Sequence, residues 1–212
     1  PKYINKAIQH RIAVTAPDLA WVKKAKKEVN EKYDKEVWIH IKVNTGMNRY
    51  GTSDAGEIKA MIKEINSFSR FIYEGIFSHF TSSDEDSDVT AREFERFRDI
   101  VSEVERPEYV HIANSGAALT LAEDFTTAVR TGIALYGYYP SEYTKSETAV
   151  KLTPSVKLST EIVAVHQLEP GESISYGRKY TAKSHETVAT LPIGYADGLL
   201  RQHNGYKVKL EG

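Results

Sequence analysis

The sequence predicts an α/β fold, a partial (β/α)8 TIM barrel made of the later five βα units, followed by part of an all-β C-terminal domain. Five short apolar strands alternate with helical stripes as far as Pro140. Beyond Leu152 the alternation continues without any helical period. Polar clusters recur where the strands end, the rim at which barrels gather their functional groups.

The elements follow in order. Arg11–Thr15 is a short buried strand. Pro17 suits a first helical position, and Leu19, Val22, Ala25 and Val29 mark the apolar stripe of the helix after it. Val37–Val43 (VWIHIKV) is the next strand, ending in Asn44-Thr45-Gly46. Ile58, Met61, Ile62 and Ile65 define a second helix, and Phe71–Phe80 a third strand. After the polar loop TSSDEDSD, Thr90-x-x-Glu93 reads as a capping box for a helix lined by Phe94, Phe97, Val101 and Val104. Tyr109–Ala113 and Thr127–Gly132 are the fourth and fifth strands, with a short helix opening near Gly116. Ser141–Val150 is polar and helix-poor. In the last stretch Thr160–Leu168, Ser173–Tyr176, Val188–Pro192 and Tyr206–Leu210 are strand candidates around the turn Glu169-Pro-Gly-Glu172. The division read is therefore 1–140 barrel, 141–151 linker and 152–212 start of the β-domain. The chain opens at Pro1 and stops in mid-alternation at KVKLEG. An excerpt of a longer protein is expected, with three βα units before Pro1.

Composition narrows the function. At 41% apolar, 27% charged and net charge −1, nothing argues for nucleic acid or an anionic membrane. No apolar run approaches the roughly 20 residues of a membrane span. Cysteine is absent, which removes thiolate and disulfide chemistry and fits a cytoplasmic location. No metal site is read.

Chemistry is best sought in Tyr109–Gly137. Phosphate in such barrels is often held by the last loops and the N-terminus of a short helix. Ser115 offers a hydroxyl there, and Gly116, Gly132 and Ile133 offer backbone N–H groups on a closely approaching chain. His111 and Arg130 lie where strand side chains reach a bound ring. Lys42 and Arg49 flank NTGMNR, and His79 sits in SHF. Each has a plain structural alternative: surface cations for Lys42 and Arg49, packed core rings for His79, His111, Tyr176 and Tyr195.

KVNTGMNRYG, FSHF with SSDE, HIANSGAAL, VRTGIALYG, ISYGRKYTA and LPIGYADGLLR resemble, in order and spacing, the motifs of the alanine racemases. These are pyridoxal-phosphate enzymes of fold type III, in which a barrel is followed by a β-domain. The resemblance runs from about Ile4 to Gly212. It implies a homodimer, head-to-tail, with each active site shared between subunits. The implied reaction converts L-alanine to D-alanine, a peptidoglycan precursor for the bacterial cell wall. It assigns Ser115, Gly132 and Ile133 to the cofactor phosphate, Asn114 to cofactor binding, His79 to the face of the pyridine ring and Arg130 to its nitrogen. His111 would orient Arg130. Tyr176 would be one base, acting in the partner subunit, and Arg49 would hold the substrate carboxylate. Lys42 matches a lysine that is often carbamylated. Tyr195, Asp84 and Arg201 would line the substrate entrance, where Asp84 and Arg201 could equally form a surface ion pair.

Two departures stand out. The family motif Asp-Thr-Gly-Met here begins with Asn44, and no lysine has the context of the family's Schiff-base lysine. The 212 residues alone are therefore expected to be inactive. Open alternatives are a serine or broad-specificity amino-acid racemase, a non-catalytic pyridoxal-phosphate-binding barrel, and a barrel binding some other phosphorylated ligand.

Overall fold

Runs of β-branched and aromatic residues nucleate a four-stranded parallel sheet. It is built from β1 (Val14–Ala16), β2 (Val37–Lys42), β3 (Phe71–Phe77) and β4 (Tyr109–His111), in that order. The computed structural model describes residues 1–203 and 205–210, the Arg201 side chain excepted. It divides into two compact units, Pro1–Ser155 and Val156–Gly212.

Strand alternation sorts the sheet of the first unit into two faces. Val37, Ile39, Ile41, Ile76 and Val110 are buried in a core shared with α2 (Leu19–Glu28), α3 (Ala55–Asn66) and α4 (Ser87–Ser102). Val22, Ala25, Ile58, Met61, Ile65 and Phe97 face that core from the helices. The register Lys42↔Phe77↔His111 and His40↔Gly75↔Tyr109 puts the functional side chains together on the opposite face. The three long helices each start on an aspartate. Asp18 accepts from Trp21 N (2.6 Å), Asp54 from Gly56 N (2.7 Å), and Asp86 from Asp88 N and Val89 N (2.9 and 3.0 Å).

Several elements differ from the sequence reading. Pro17 lies outside α2, because Asp18 is the cap, its carboxylate accepting from the otherwise unpaired Trp21 N–H. Thr90 and Glu93 sit inside α4 for the same reason, with Asp86 as its cap. The fifth strand does not form. Thr127 N donates to Val110 O (2.8 Å) and Arg130 N to Ala113 O (2.9 Å), but Val110 N donates to the Thr127 hydroxyl (2.9 Å). That side chain takes the bond a strand carbonyl would have taken, and the ladder breaks. Helix α1 (Ile4–His10) was not foreseen, and the stretch read as helix-poor contains α6 (Glu142–Glu147), capped by Ser141. The short helix near Gly116 is α5 (Ser115–Thr120).

The second unit contains two antiparallel pairs, β5 (Ala164–Leu168) with β8 (Glu186–Thr190) and β6 (Ser173–Ile174) with β7 (Tyr180–Thr181). Tyr206–Leu210 alternates in sequence but forms no strand among the described residues.

Asp86 satisfies two N–H groups of the longest helix. Replacing it with alanine should lower stability by about 1 kcal/mol, read as a shifted urea midpoint at unchanged slope. An unchanged midpoint would remove Asp86 as the cap.

Candidate active site

Arg130 occupies the centre of the polar face. The backbone carrying it runs beside β4, and its guanidinium crosses to the end of β3. Nη2 donates to Ser78 O (2.7 Å), to Ile112 O (3.4 Å) and to His79 Nδ1 (3.2 Å). Nη1 donates to His111 Nδ1. The group lies over the Phe77 ring, 5.1 Å from its centroid. Burial lowers its pKa, but a guanidinium keeps its proton in any ordinary protein setting.

Burial and the guanidinium charge lower the pKa of each neighbouring base. His111, 8% exposed, is pushed down to about 3 by burial first, then by the Arg130 guanidinium and by the neighbouring His40. His79 is lowered by burial, Arg130, Lys42 and Arg49, with Glu93 opposing. Lys42 is lowered to about 8, again chiefly by burial, then by Arg130 and Arg49 against Glu93. Its ammonium donates to Val43 O (2.6 Å) and Ser78 Oγ (3.3 Å) and lies 5.4 Å from the Phe77 centroid.

The loops beyond the strands are tied to one another. Ser115, buried at the start of α5, accepts at Oγ from Gly132 N (2.8 Å) and Ala134 N (3.4 Å). Ile133 opens a 3-10 turn, Ile133–Tyr136, where no preceding turn supplies an acceptor for its N–H. A Cβ on Gly132 would meet only Ser115 Oγ, at 3.9 Å, so space is open above this loop. Asn114 accepts from Ala117 N (3.2 Å) and from Ser83 Oγ (2.6 Å). Glu93 reaches up from α4 to Thr81 N (2.9 Å) and Thr81 Oγ1 (2.7 Å), and it fills the place a Cβ on Gly46 would need. Asn44 closes its own loop: Oδ1 accepts from Gly46 N (3.3 Å) and Asn48 N (3.0 Å), while Nδ2 donates to Asn48 Oδ1 (3.0 Å). An aspartate could not make that last bond.

The structure thus brings together Lys42, His79, His111, Asn114, Ser115, Arg130, Gly132 and Ile133 in the first unit. Arg49 is exposed on the loop after β2. Asp84 lies on the loop after β3, where its carbonyl accepts from Ser141 Oγ. Tyr176, 85% exposed, and Tyr195 belong to 3-10 turns of the second unit. The Arg201 side chain lies outside the described residues. Sequence reasoning missed Thr45, Ser78, Ser83, Glu93, His40 and Glu74. For His40 a signal existed: it sits two residues before Lys42, hence on the same face of β2.

Residues 1–140 match the family model described as alanine racemase, N-terminal domain, and residues 155–212 match alanine racemase, C-terminal domain. The alanine racemase of Staphylococcus saprophyticus subsp. saprophyticus is 46% identical over 211 residues, 100% of this chain and 55% of that protein. The crystal structure of alanine racemase from E. faecalis superposes with a TM-score of 0.87 at 33% identity, over 97% of this chain and 56% of that one. A histidine racemase from Leuconostoc mesenteroides subsp. sake gives 0.81 at 25% identity, over 93% and 54%. The chain therefore spans about half the length of the curated relatives it matches.

A neutral, buried His111 makes stability depend on pH. Unfolded, the imidazole titrates near about 6.5; folded, it does so at about 3. Between those values the unfolded chain binds the extra proton, so this contribution is complete above about 6.5 and is lost as the pH falls. The slope from this one site should approach about 1.4 kcal/mol per pH unit. Urea midpoints at pH 7 and 5 should converge in His111→Gln relative to the unsubstituted protein. Equal losses in both would contradict a neutral His111.

Proposed function

The chain belongs to the alanine racemase family, and from that premise we propose that the protein carrying it interconverts L- and D-alanine with pyridoxal 5′-phosphate. In this reading it works as a cytoplasmic, head-to-tail homodimer that supplies D-alanine for peptidoglycan. The observation that carries the reading is Arg130, whose guanidinium is fixed by two strand-end carbonyls and two imidazoles, two residues from a glycine amide that points at Ser115 Oγ.

The residues fit the cofactor. Loop amides converging on one hydroxyl oxygen, with open space above Gly132, suit a phosphate oxygen. Ser115, Gly132, Ile133 and the Asn114 loop would hold the phosphate, and neutral His79 would pack on the ring. When bound, the cofactor delocalises the electron pair left on the α-carbon as its proton departs. Arg130 would donate a hydrogen bond to the ring nitrogen without surrendering a proton. That limits the delocalisation and favours return of a proton over other outcomes. His111 would keep Arg130 in place.

Inversion needs an acid/base group on each face of the α-carbon. Tyr176 of the partner subunit would act on one face, taking and returning the proton at its phenolic oxygen. A phenol's pKa is about 10, so a nearby cation must favour the phenolate, and Arg49 would supply it while binding the substrate carboxylate. The opposite base, a lysine in the family's motif, has no counterpart among these 212 residues. Lys42, lowered to about 8, would have enough free amine to add to CO2, losing one proton to solvent and becoming an anionic carbamate that orients Arg49. Tyr195, Asp84 and Arg201 would form a narrow entrance for small zwitterions. The likeness to a histidine racemase supports a second reading, a racemase for another or a broader set of amino acids, serine included.

In the protein carrying this chain, Tyr176→Phe should reduce turnover of both alanine enantiomers by about 10²–10⁴-fold, the usual worth of a general acid–base group. Unimpaired turnover would remove its role. Rates with alanine, serine and histidine as substrates separate the two readings.

A further inference from the structure

Two side chains beyond the proposed cofactor pocket are joined to it in a line. Arg130 Nη1 donates to His111 Nδ1, and a guanidinium cannot accept. His111 Nδ1 is therefore bare, and the ring's proton sits on Nε2. That atom is 2.9 Å from His40 Nδ1, so His111 donates and His40 accepts. His40 is left with its proton on Nε2, 2.8 Å from Glu74 Oε2. Only one assignment satisfies all three bonds: guanidinium, two neutral imidazoles each protonated at Nε2, carboxylate.

The backbone is shaped to allow this. The β2–β3 register pairs Ile39 with Tyr73 but His40 with Gly75, leaving Glu74 as the unpaired residue of a bulge. Bulges of this kind re-aim a side chain. Gly75 is required beneath the His40 ring, since a Cβ there would lie 2.4 Å from His40 Nδ1. His40 and Glu74 side chains are 17% and 21% exposed, sheltered from competing water. Tyr109 stacks on His40 with centroids 6.0 Å apart, and Phe77 stacks on His111 at 4.9 Å, fixing both ring planes. An anion in direct contact with Arg130 would compete for its donors. At two rings' remove, Glu74 balances the charge without doing so.

We propose that His40 and Glu74 are positioning residues that fix His111 as its Nε2–H tautomer, so that its bare Nδ1 holds the Arg130 guanidinium toward the ring nitrogen of bound pyridoxal phosphate. What Arg130 faces rests on the function proposed above; the relay itself does not.

The test is long-range ¹H–¹⁵N spectra of the histidine side chains in the cofactor-free protein carrying this chain, with Glu74→Gln, Glu74→Leu and His40→Phe compared. His111 and His40 should both show a bare Nδ1 and a protonated Nε2. Glu74→Gln should keep that order, because its amide oxygen still accepts. Glu74→Leu and His40→Phe should mix the His111 tautomers and weaken cofactor binding about tenfold, the size of one lost hydrogen bond to a charged group. A proton on His111 Nδ1 in the unsubstituted protein overturns the proposal, even if the leucine variant fails to fold. So do unchanged tautomers in folded Glu74→Leu and His40→Phe. Spectra as expected in a protein that takes up no pyridoxal phosphate would overturn the pocket reading and leave the relay standing.

Discussion

A half-buried guanidinium is the constraint from which the rest of the polar face follows. Arg130 has five donors and no acceptor, and a donor left unmade away from water costs about 1–3 kcal/mol, more when charged. The chain answers with the carbonyls of Ser78 and Ile112 and the bare nitrogens of His79 and His111. Each partner depends on a further element. The two carbonyls are available because both strands end there, and His111 accepts because its other nitrogen donates to His40. The side-chain order Lys42, Phe77, His111 across three strands is the register of the sheet expressed as chemistry.

The loops above are organised by buried polar contacts between neighbours. Glu93 clamps Thr81 and occupies the space over Gly46, so a helix behind the sheet sets the height of two loops in front of it. Ser83 does the same for Asn114 and crowds Gly116, where a Cβ would lie 3.0 Å from Ser83 O. Asn44 shows how a change from the family's aspartate is accommodated. The loop keeps its turn through Oδ1 and adds a bond from Nδ2 that a carboxylate cannot make. The loop thereby gives up a negative charge near Lys42, and Glu93 is the anion that raises the Lys42 pKa.

Much of this was legible in the sequence. The alternation in VWIHIKV separates Val37, Ile39 and Ile41 from His40 and Lys42, and period-2 geometry alone assigns them to two faces. The α/β class, the family and the three long helices followed from periodicity and motifs. What escaped depends on competition between groups far apart in the chain. Nothing in Thr127 announces that its hydroxyl will take the Val110 N–H. Glu74-Gly75 does not reveal a bulge without the strand opposite. Helix α1 has only Ile4, Ala7 and Ile8 buried, too short a stripe to stand out. Ser78 and Ser83 lay inside quoted motifs, but their importance is in what they touch.

The most direct measurement of the central claim is the ¹⁵N resonance of the pyridine nitrogen in labelled pyridoxal phosphate bound to the protein carrying this chain. With Arg130 held as described, that nitrogen should remain unprotonated from pH 6 to 9, and Arg130→Glu should shift it toward the protonated position. A protonated nitrogen in the unsubstituted protein would contradict the account.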